Sequence, residues 1–259
     1  MGARWVVSRS HGAAGCARPA DHFHPRQVTV TLTTNSPSAR VRDGGLGGVG
    51  ERPVDAVMLF DGRDLSGWRQ RKGGGPAGWT VSDGTLTVAR GAGDIVSVET
   101  YADAHIHLEF REPAKPEATG QAKGNSGVYL QGRYEIQVLD SFGWQLPGKG
   151  DCGAIYDQFA PLCNACLPAL EWQSYDIVFR AARVDESGEV TAPARITLLQ
   201  NGRVIHNNVV VRGPTGGAID QRVGEPGPLL LQDHGDPVSY RNIWLVRLPA
   251  QGSEEYGPR

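Results

Sequence analysis

Between Val128 and Leu139 apolar and polar positions alternate along the chain. Val128, Leu130, Tyr134, Ile136 and Val138 fall on even positions, while Tyr129, Gln131, Arg133, Glu135 and Gln137 fall on odd ones. A strand sends successive side chains to opposite faces, so the pattern predicts a β-strand within Gly124–Ser141. One face belongs to a core. The other carries amides, a carboxylate, a guanidinium and a phenol, groups that grip hydroxyl-rich ligands or move protons; a merely solvated strand face is the alternative.

Shorter strand-like runs recur from Asp55 onward, among them "AVMLF", "WTVSDGTLTVA", "DIVSVET", "AHIHLEFRE", "CGAIYD", "WQSYDIVFRAARV", "ARITLLQNGRVIHNNVVV", "PGPLLLQDHG" and "YRNIWLVRLP". Asp83-Gly84 and Asn201-Gly202 each sit between two alternating runs, which predicts two tight hairpins, because these pairs accept the positive φ that such turns need. Ten or more half-apolar strands must stack to bury their apolar faces. The expected fold is therefore all-β, an antiparallel sandwich of two sheets.

The first fifty or so residues break this pattern. Residues 1–52 are rich in Gly, Arg, Ser, Thr and Pro, with only "QVTVTL" resembling a strand, and they predict a disordered N-terminal segment. A start codon assigned too far upstream would leave the same signature. A β-sandwich domain is expected over 53–250, followed by a flexible tail at 251–259.

The chain has 259 residues, of which 35 are Gly and 17 Pro, and this favours short strands joined by turns. A formal net charge of −2 with scattered arginines argues against a nucleic-acid partner. No apolar stretch approaches the roughly 20 residues of a membrane helix, so no span is expected. The N-terminus lacks the apolar core of a readable export signal.

Several side chains could carry chemistry. His234 follows a buried leucine run and stands beside Asp233 and Asp236, carboxylates able to tune and orient an imidazole for proton transfer. His105, His107 and Glu109 alternate on one face of "HIHLEFRE", where they suit either metal ligation or, preferably, the solvated side of an edge strand. Trp172 could stack on a sugar ring or belong to a core. Of Cys16, Cys152, Cys163 and Cys166, the last two form a C-x-x-C, which can be a redox pair, half a zinc site, a loop disulfide or a pair of free thiols. For zinc, Cys152 is the one obvious further ligand nearby. No metal ligand set is assigned. Nucleophile elbows, phosphate loops, dinucleotide fingerprints and H-E-x-x-H are missing from the sequence.

Taken in order, "LFDGRDLSGW", "NSGVYLQGRYEIQVLDS", "GDCGAIYDQFAPLCNA", "EWQSYDIVFRA", "PARITLLQNGRVI" and "GPLLLQDHGDPVSYRNIWL" resemble the 3-keto-disaccharide hydrolase family over roughly Val54 to Pro249. The chain departs from that pattern in the two cysteines of "APLCNAC" and in its missing export signal. The resemblance implies a concanavalin A-like jelly roll and, as substrates, glycosides already oxidised to a ketone at C3. It also implies a periplasmic or secreted location. Such a ketone acidifies the C2 proton, so a base can remove it and the C1 substituent can leave, with water adding to the product. On that chemistry Glu135 or His234 exchanges the proton, and Arg133 stabilises the enolate as a third catalytic group. Asn125, Tyr129, Gln131, Gln137, Asp140, Trp172, Asp233 and Arg241 are expected to contact the carbohydrate. A divalent metal ion could replace the arginine as electrophile. A non-catalytic carbohydrate-binding module of the same fold is the alternative. An ordinary glycanase strand of the E-x-D-x-E type is not matched by "EIQVLD".

Overall fold

The computed structural model describes residues 52–250. The segment expected to be disordered, apart from Arg52, and the tail 251–259 lie outside the described residues. Fifteen strands follow in order: β1 (Val57–Phe60), β2 (Trp68–Gln70), β3 (Thr80–Ser82), β4 (Thr85–Thr87), β5 (Ile95–Tyr101), β6 (Ala104–Arg111), β7 (Asn125–Leu130), β8 (Tyr134–Leu139), β9 (Gln173–Arg180), β10 (Arg183–Val184), β11 (Val190–Ala192), β12 (Arg195–Gln200), β13 (Arg203–Val210), β14 (Gly227–Leu231) and β15 (Ser239–Arg247). One short 3-10 turn, Gly120–Ala122, precedes β7.

The strands form two main antiparallel sheets. An eight-stranded sheet runs β13-β12-β9-β6-β15-β4-β3, with β1 added on β15, and a five-stranded sheet runs β2-β5-β14-β7-β8. Both predicted hairpins are present: Asp83 and Gly84 have φ of 50° and 73°, Asn201 and Gly202 of 53° and 76°. The fold is the all-β sandwich that the alternation implied.

The apolar parities meet between the sheets. Ile106, Leu108, Phe110, Tyr175, Ile177 and Phe179 face Val128, Leu130, Tyr134, Ile136 and Val138, all at 1% exposure or less. Tyr134 packs on Phe179 with ring centroids 5.5 Å apart. Two phenols tie the layers across the core: Tyr240 Oη lies 2.7 Å from Ser126 Oγ, and Tyr175 donates to the Gln137 carbonyl at 2.6 Å. Trp68 is fully buried and donates its indole N–H to the Leu59 carbonyl, which anchors the start of the sandwich.

Two expectations about strands are corrected. The stretch Gly124–Ser141 is a hairpin, not one strand, because Gln131 and Gly132 both adopt positive φ, 51° and 66°, and turn the chain. Pairing of Tyr129 with Glu135 and Gly127 with Gln137 keeps the odd positions on one face, so the polar row survives the turn. The second correction concerns "HIHLEFRE". It forms β6, which lies between β9 and β15 inside the larger sheet and is no edge strand. His107 and Glu109 are buried on its outer face.

Candidate active site

The polar face of β7 and β8 is covered in turn by loops. Residues 152–156 run beside β8, with Gln137 N donating to Ala154 O and Tyr156 N to Glu135 O. The loop after β13 crosses above, where Thr215 Oγ1 accepts from Glu135 N at 2.9 Å and the Gly216 carbonyl accepts from the Tyr129 hydroxyl at 3.2 Å. These covers explain why every residue of both strands is buried although one face is polar. Between them remains a pocket of about 160 Å³, lined by Gln121, Asn125, Tyr129, Glu135, Gln137, Tyr156, Gly216, Gly217, Gln232 and His234.

Glu135 is 3% exposed. Burial pushes its carboxyl up to about 7; the Tyr129 phenol beside it pulls the other way, and the Asp94 charge adds to the rise. Burial, and then the Glu135 charge, hold the Tyr129 hydroxyl far above the ordinary phenol range, so it stays a neutral donor. Gly127 makes room for this pair. A Cβ there would stand 2.5 Å from Glu135 Oε1 and 3.0 Å from Tyr129 Cε2.

Neutral amides complete the floor. Gln137 Nε2 donates to Asn125 Oδ1 and to Gln121 Oε1, each at 3.2 Å, and Asn125 Nδ2 donates to Gln121 Oε1 at 3.1 Å. Gln232 Nε2 donates to Tyr129 Oη at 3.2 Å, which leaves its own buried Oε1 without a protein partner. Such an orphan oxygen is available to a ligand hydroxyl. His234 is exposed at the rim. The pocket therefore offers one carboxylate, one imidazole, two phenols and a set of amides.

Glu135, His234, Asn125, Tyr129 and Gln137 are thus brought together, whereas the other expected residues are not. Arg133 is 1% exposed and bonds Asp220 at 2.7 Å and the Glu225 carbonyl at 2.7 Å, pinning the covering loop outside the pocket. Gln131 sits in the hairpin turn and donates to the Tyr101 carbonyl. Asp140 pairs with Lys123 at 2.8 Å. Asp233 accepts from the backbone N–H groups of Gly93 and Gly235, and Asp236 pairs with Lys115, so neither carboxylate is paired with His234. Arg241 bonds Glu109 at 2.6 Å on the outer face of the larger sheet. There Trp172 is neither a core residue nor an open sugar platform, for the guanidiniums of Arg241 and Arg111 lie 4.1 and 4.7 Å from its ring centroid.

Sequence reasoning missed Gln121, Tyr156, Gly216, Gly217 and Gln232. Gln232 carried a signal, since it directly continues the β14 leucine run that pairs with β7. The others sit on loops with no periodicity to place them.

Residues 55–246 match the family described as the 3-keto-alpha-glucoside-1,2-lyase-like domain. Among solved structures, a candidate glycosyl hydrolase from Parabacteroides distasonis ATCC 8503 is 40% identical, with a TM-score of 0.70 over 76% of this chain and 85% of that one. A second candidate glycosyl hydrolase from the same organism, 22% identical with a TM-score of 0.53, covers 75% of this chain and 94% of its own and shares the fold. No curated protein gives a significant match.

Proposed function

The chain belongs to the 3-keto-alpha-glucoside-1,2-lyase-like domain family, and from that premise we propose that it cleaves glycosides carrying a ketone at C3 by elimination across C1 and C2. The observation that carries this reading is Glu135, a buried carboxyl raised to about 7 on the floor of a pocket otherwise lined by uncharged donors and an imidazole. A base is most effective when its pKa lies near the working pH.

In this mechanism the ionised Glu135 takes the C2 proton, which the adjacent ketone has acidified. The C–H electron pair moves toward the C3 oxygen as an enolate. The second amide N–H of Gln232 and the Tyr156 phenol are the donors within the pocket for that oxygen, and the unpartnered Gln232 carbonyl accepts from a ring hydroxyl. Collapse of the enolate expels the C1 substituent, whose oxygen takes a proton from His234 at the rim or from Glu135 itself. Addition of water to the resulting enone completes a hydrolysis. Arg133, expected as the electrophile, is replaced in this role by neutral donors.

Purified protein should release the aglycone from 3-keto-glucosides and leave the parent glucosides intact. Deuterium at C2 should give a primary isotope effect or wash out into solvent. Equal turnover of unoxidised glucosides would overturn the reading, and binding of glycans without turnover, with or without added divalent cations, would assign the pocket to a binding module. His234→Ala should slow substrates with poor leaving groups far more than nitrophenyl glycosides, because only the former need their oxygen protonated. Gly127→Ala displaces the Glu135 carboxylate, and kcat should fall about 10²-fold for such a misplacement. Unchanged kcat in a folded Gly127→Ala variant would show that the position of this carboxylate is immaterial.

A further inference from the structure

Glu112, Cys152 and Cys166 meet at one end of the core, where apolar packing is the rule. They are 0%, 1% and 7% exposed, and a carboxylate oxygen and two sulfurs lie within 4.8 Å of one another. They come from three separate segments: Glu112 just after β6, Cys152 in the loop that carries Tyr156 to the pocket, and Cys166 in the loop before β9. Glu112 Oε1 is 3.9 Å from Cys152 Sγ. Two ligands of one tetrahedral zinc stand about 3.5–3.8 Å apart, given Zn–S near 2.3 Å and Zn–O near 2.0 Å.

The surroundings are those of a ligand shell. Tyr175 Oη and Gln200 Nε2 each lie 3.3 Å from Cys152 Sγ. Gln173 Nε2 donates to Glu112 Oε2 at 2.8 Å and lies 3.6 Å from Cys166 Sγ. Gln173 is thus placed as the donor that holds ligands around a metal, whereas Tyr175 gives its one proton to the Gln137 carbonyl. Gln200 is wholly buried, yet its carbonyl oxygen has no hydrogen-bond partner. Rotating its amide exchanges oxygen and nitrogen, at the expense of the bond from Nε2 to Gln173 Oε1, and brings the orphan oxygen toward Cys152.

We propose that Cys152, Cys166 and Glu112 form a closed structural site for Zn²⁺, with Gln200 Oε1 as the fourth donor. Binding expels the thiol protons and places a cation beside a fully buried carboxyl, which a disulfide would not do. Soft thiolate donors select zinc over magnesium or calcium. A surface cleft of about 460 Å³, lined in part by Trp144, Leu162, Cys163 and Cys166, reaches the cluster from solvent and supplies the entry path. The ion would fasten the Tyr156 loop to the sheets without touching substrate.

The test uses the full-length chain, purified with reductant and without chelator. Elemental analysis should find one zinc per chain, and replacement by Co²⁺ should give thiolate-to-cobalt charge-transfer absorption with the d–d bands of a tetrahedral ion. Both should persist in Cys163→Ser and disappear in Cys152→Ser and Cys166→Ser, while chelation should lower the Tm of the wild type and leave that of Cys152→Ser unchanged. The cobalt spectrum of the unmodified protein decides the matter even if the cysteine variants fail to fold. Reduced protein that takes up neither zinc nor cobalt, loss of metal in Cys163→Ser, or a Cys152–Cys166 disulfide in peptide maps of protein kept under reductant would each overturn the proposal.

Discussion

Replacing Glu135 by glutamine is expected to lower kcat/KM for 3-keto-glucosides by about 10²–10⁴-fold, the usual loss on removing a general base. The wild-type profile should rise with pH through about 7, where the carboxyl ionises, and Glu135→Gln should lack that limb. A second readout separates this role from mere damage. The folded carboxyl is raised from 4.5 to about 7, so its protonated form contributes stability that is complete below pH 4.5 and lost as pH rises to 7. Each unit is worth about 1.4 kcal/mol, so the loss is on the order of 3 kcal/mol. Denaturant titrations should show that loss in the wild type and not in Glu135→Gln. A variant less active yet carrying the wild-type pH dependence in both rate and stability would remove Glu135 from the mechanism.

His107→Ala is expected to destabilise the fold by about 3 kcal/mol at neutral pH, the low end for breaking a buried ion pair. His107 Nδ1 lies 2.7 Å from Asp176 Oδ1, and its ring stacks on Trp244 with centroids 5.0 Å apart. Nε2 is 3.9 Å from Glu109 Oε1, too far for a hydrogen bond, so that carboxylate acts through its charge. Burial disfavours the imidazolium, but Asp176 and Glu109 together outweigh it and raise the histidine to about 9. The folded value thus exceeds the ordinary 6.5. The stabilisation is full below pH 6.5 and disappears as pH rises to 9. Asp176 keeps His105 at 3.6 Å, and Glu109 keeps Arg241 and Asn242, which is why the low end applies. Equal unfolding free energies for His107→Ala and wild type at pH 6 would refute the argument.

The expectation that His105, His107 and Glu109 line a solvated edge strand failed for a physical reason. Alternation in "HIHLEFRE" separates an apolar face from a polar one, but it does not say whether the polar face meets water or other side chains. β6 became central through pairing with β9 and β15, both distant in sequence, and their half-exposed Asp176 and Arg241 turned a polar stripe into a charge cluster that covers His107 and Glu109. Arg133 failed differently: it shares the parity of Glu135, yet it sits where the hairpin leaves its turn, within reach of Asp220.

Period-two alternation, the Asp-Gly and Asn-Gly turns and the scarcity of helical patterning determined by themselves that this chain is an antiparallel sandwich, because each rests on local backbone geometry. They also determined that Asn125 shares a face with Tyr129 and Glu135 one with Gln137, since parity is a property of neighbours along the chain, while the register of the hairpin joined the two pairs on one face. Tertiary structure alone decided that His234, Gln232 and Tyr156 join that face, and that of "CNAC" only Cys166 turns inward to meet Cys152 and Glu112. Those encounters bring together side chains tens of residues apart on irregular loops, whose paths follow from the surfaces they cover and not from any repeat in the sequence.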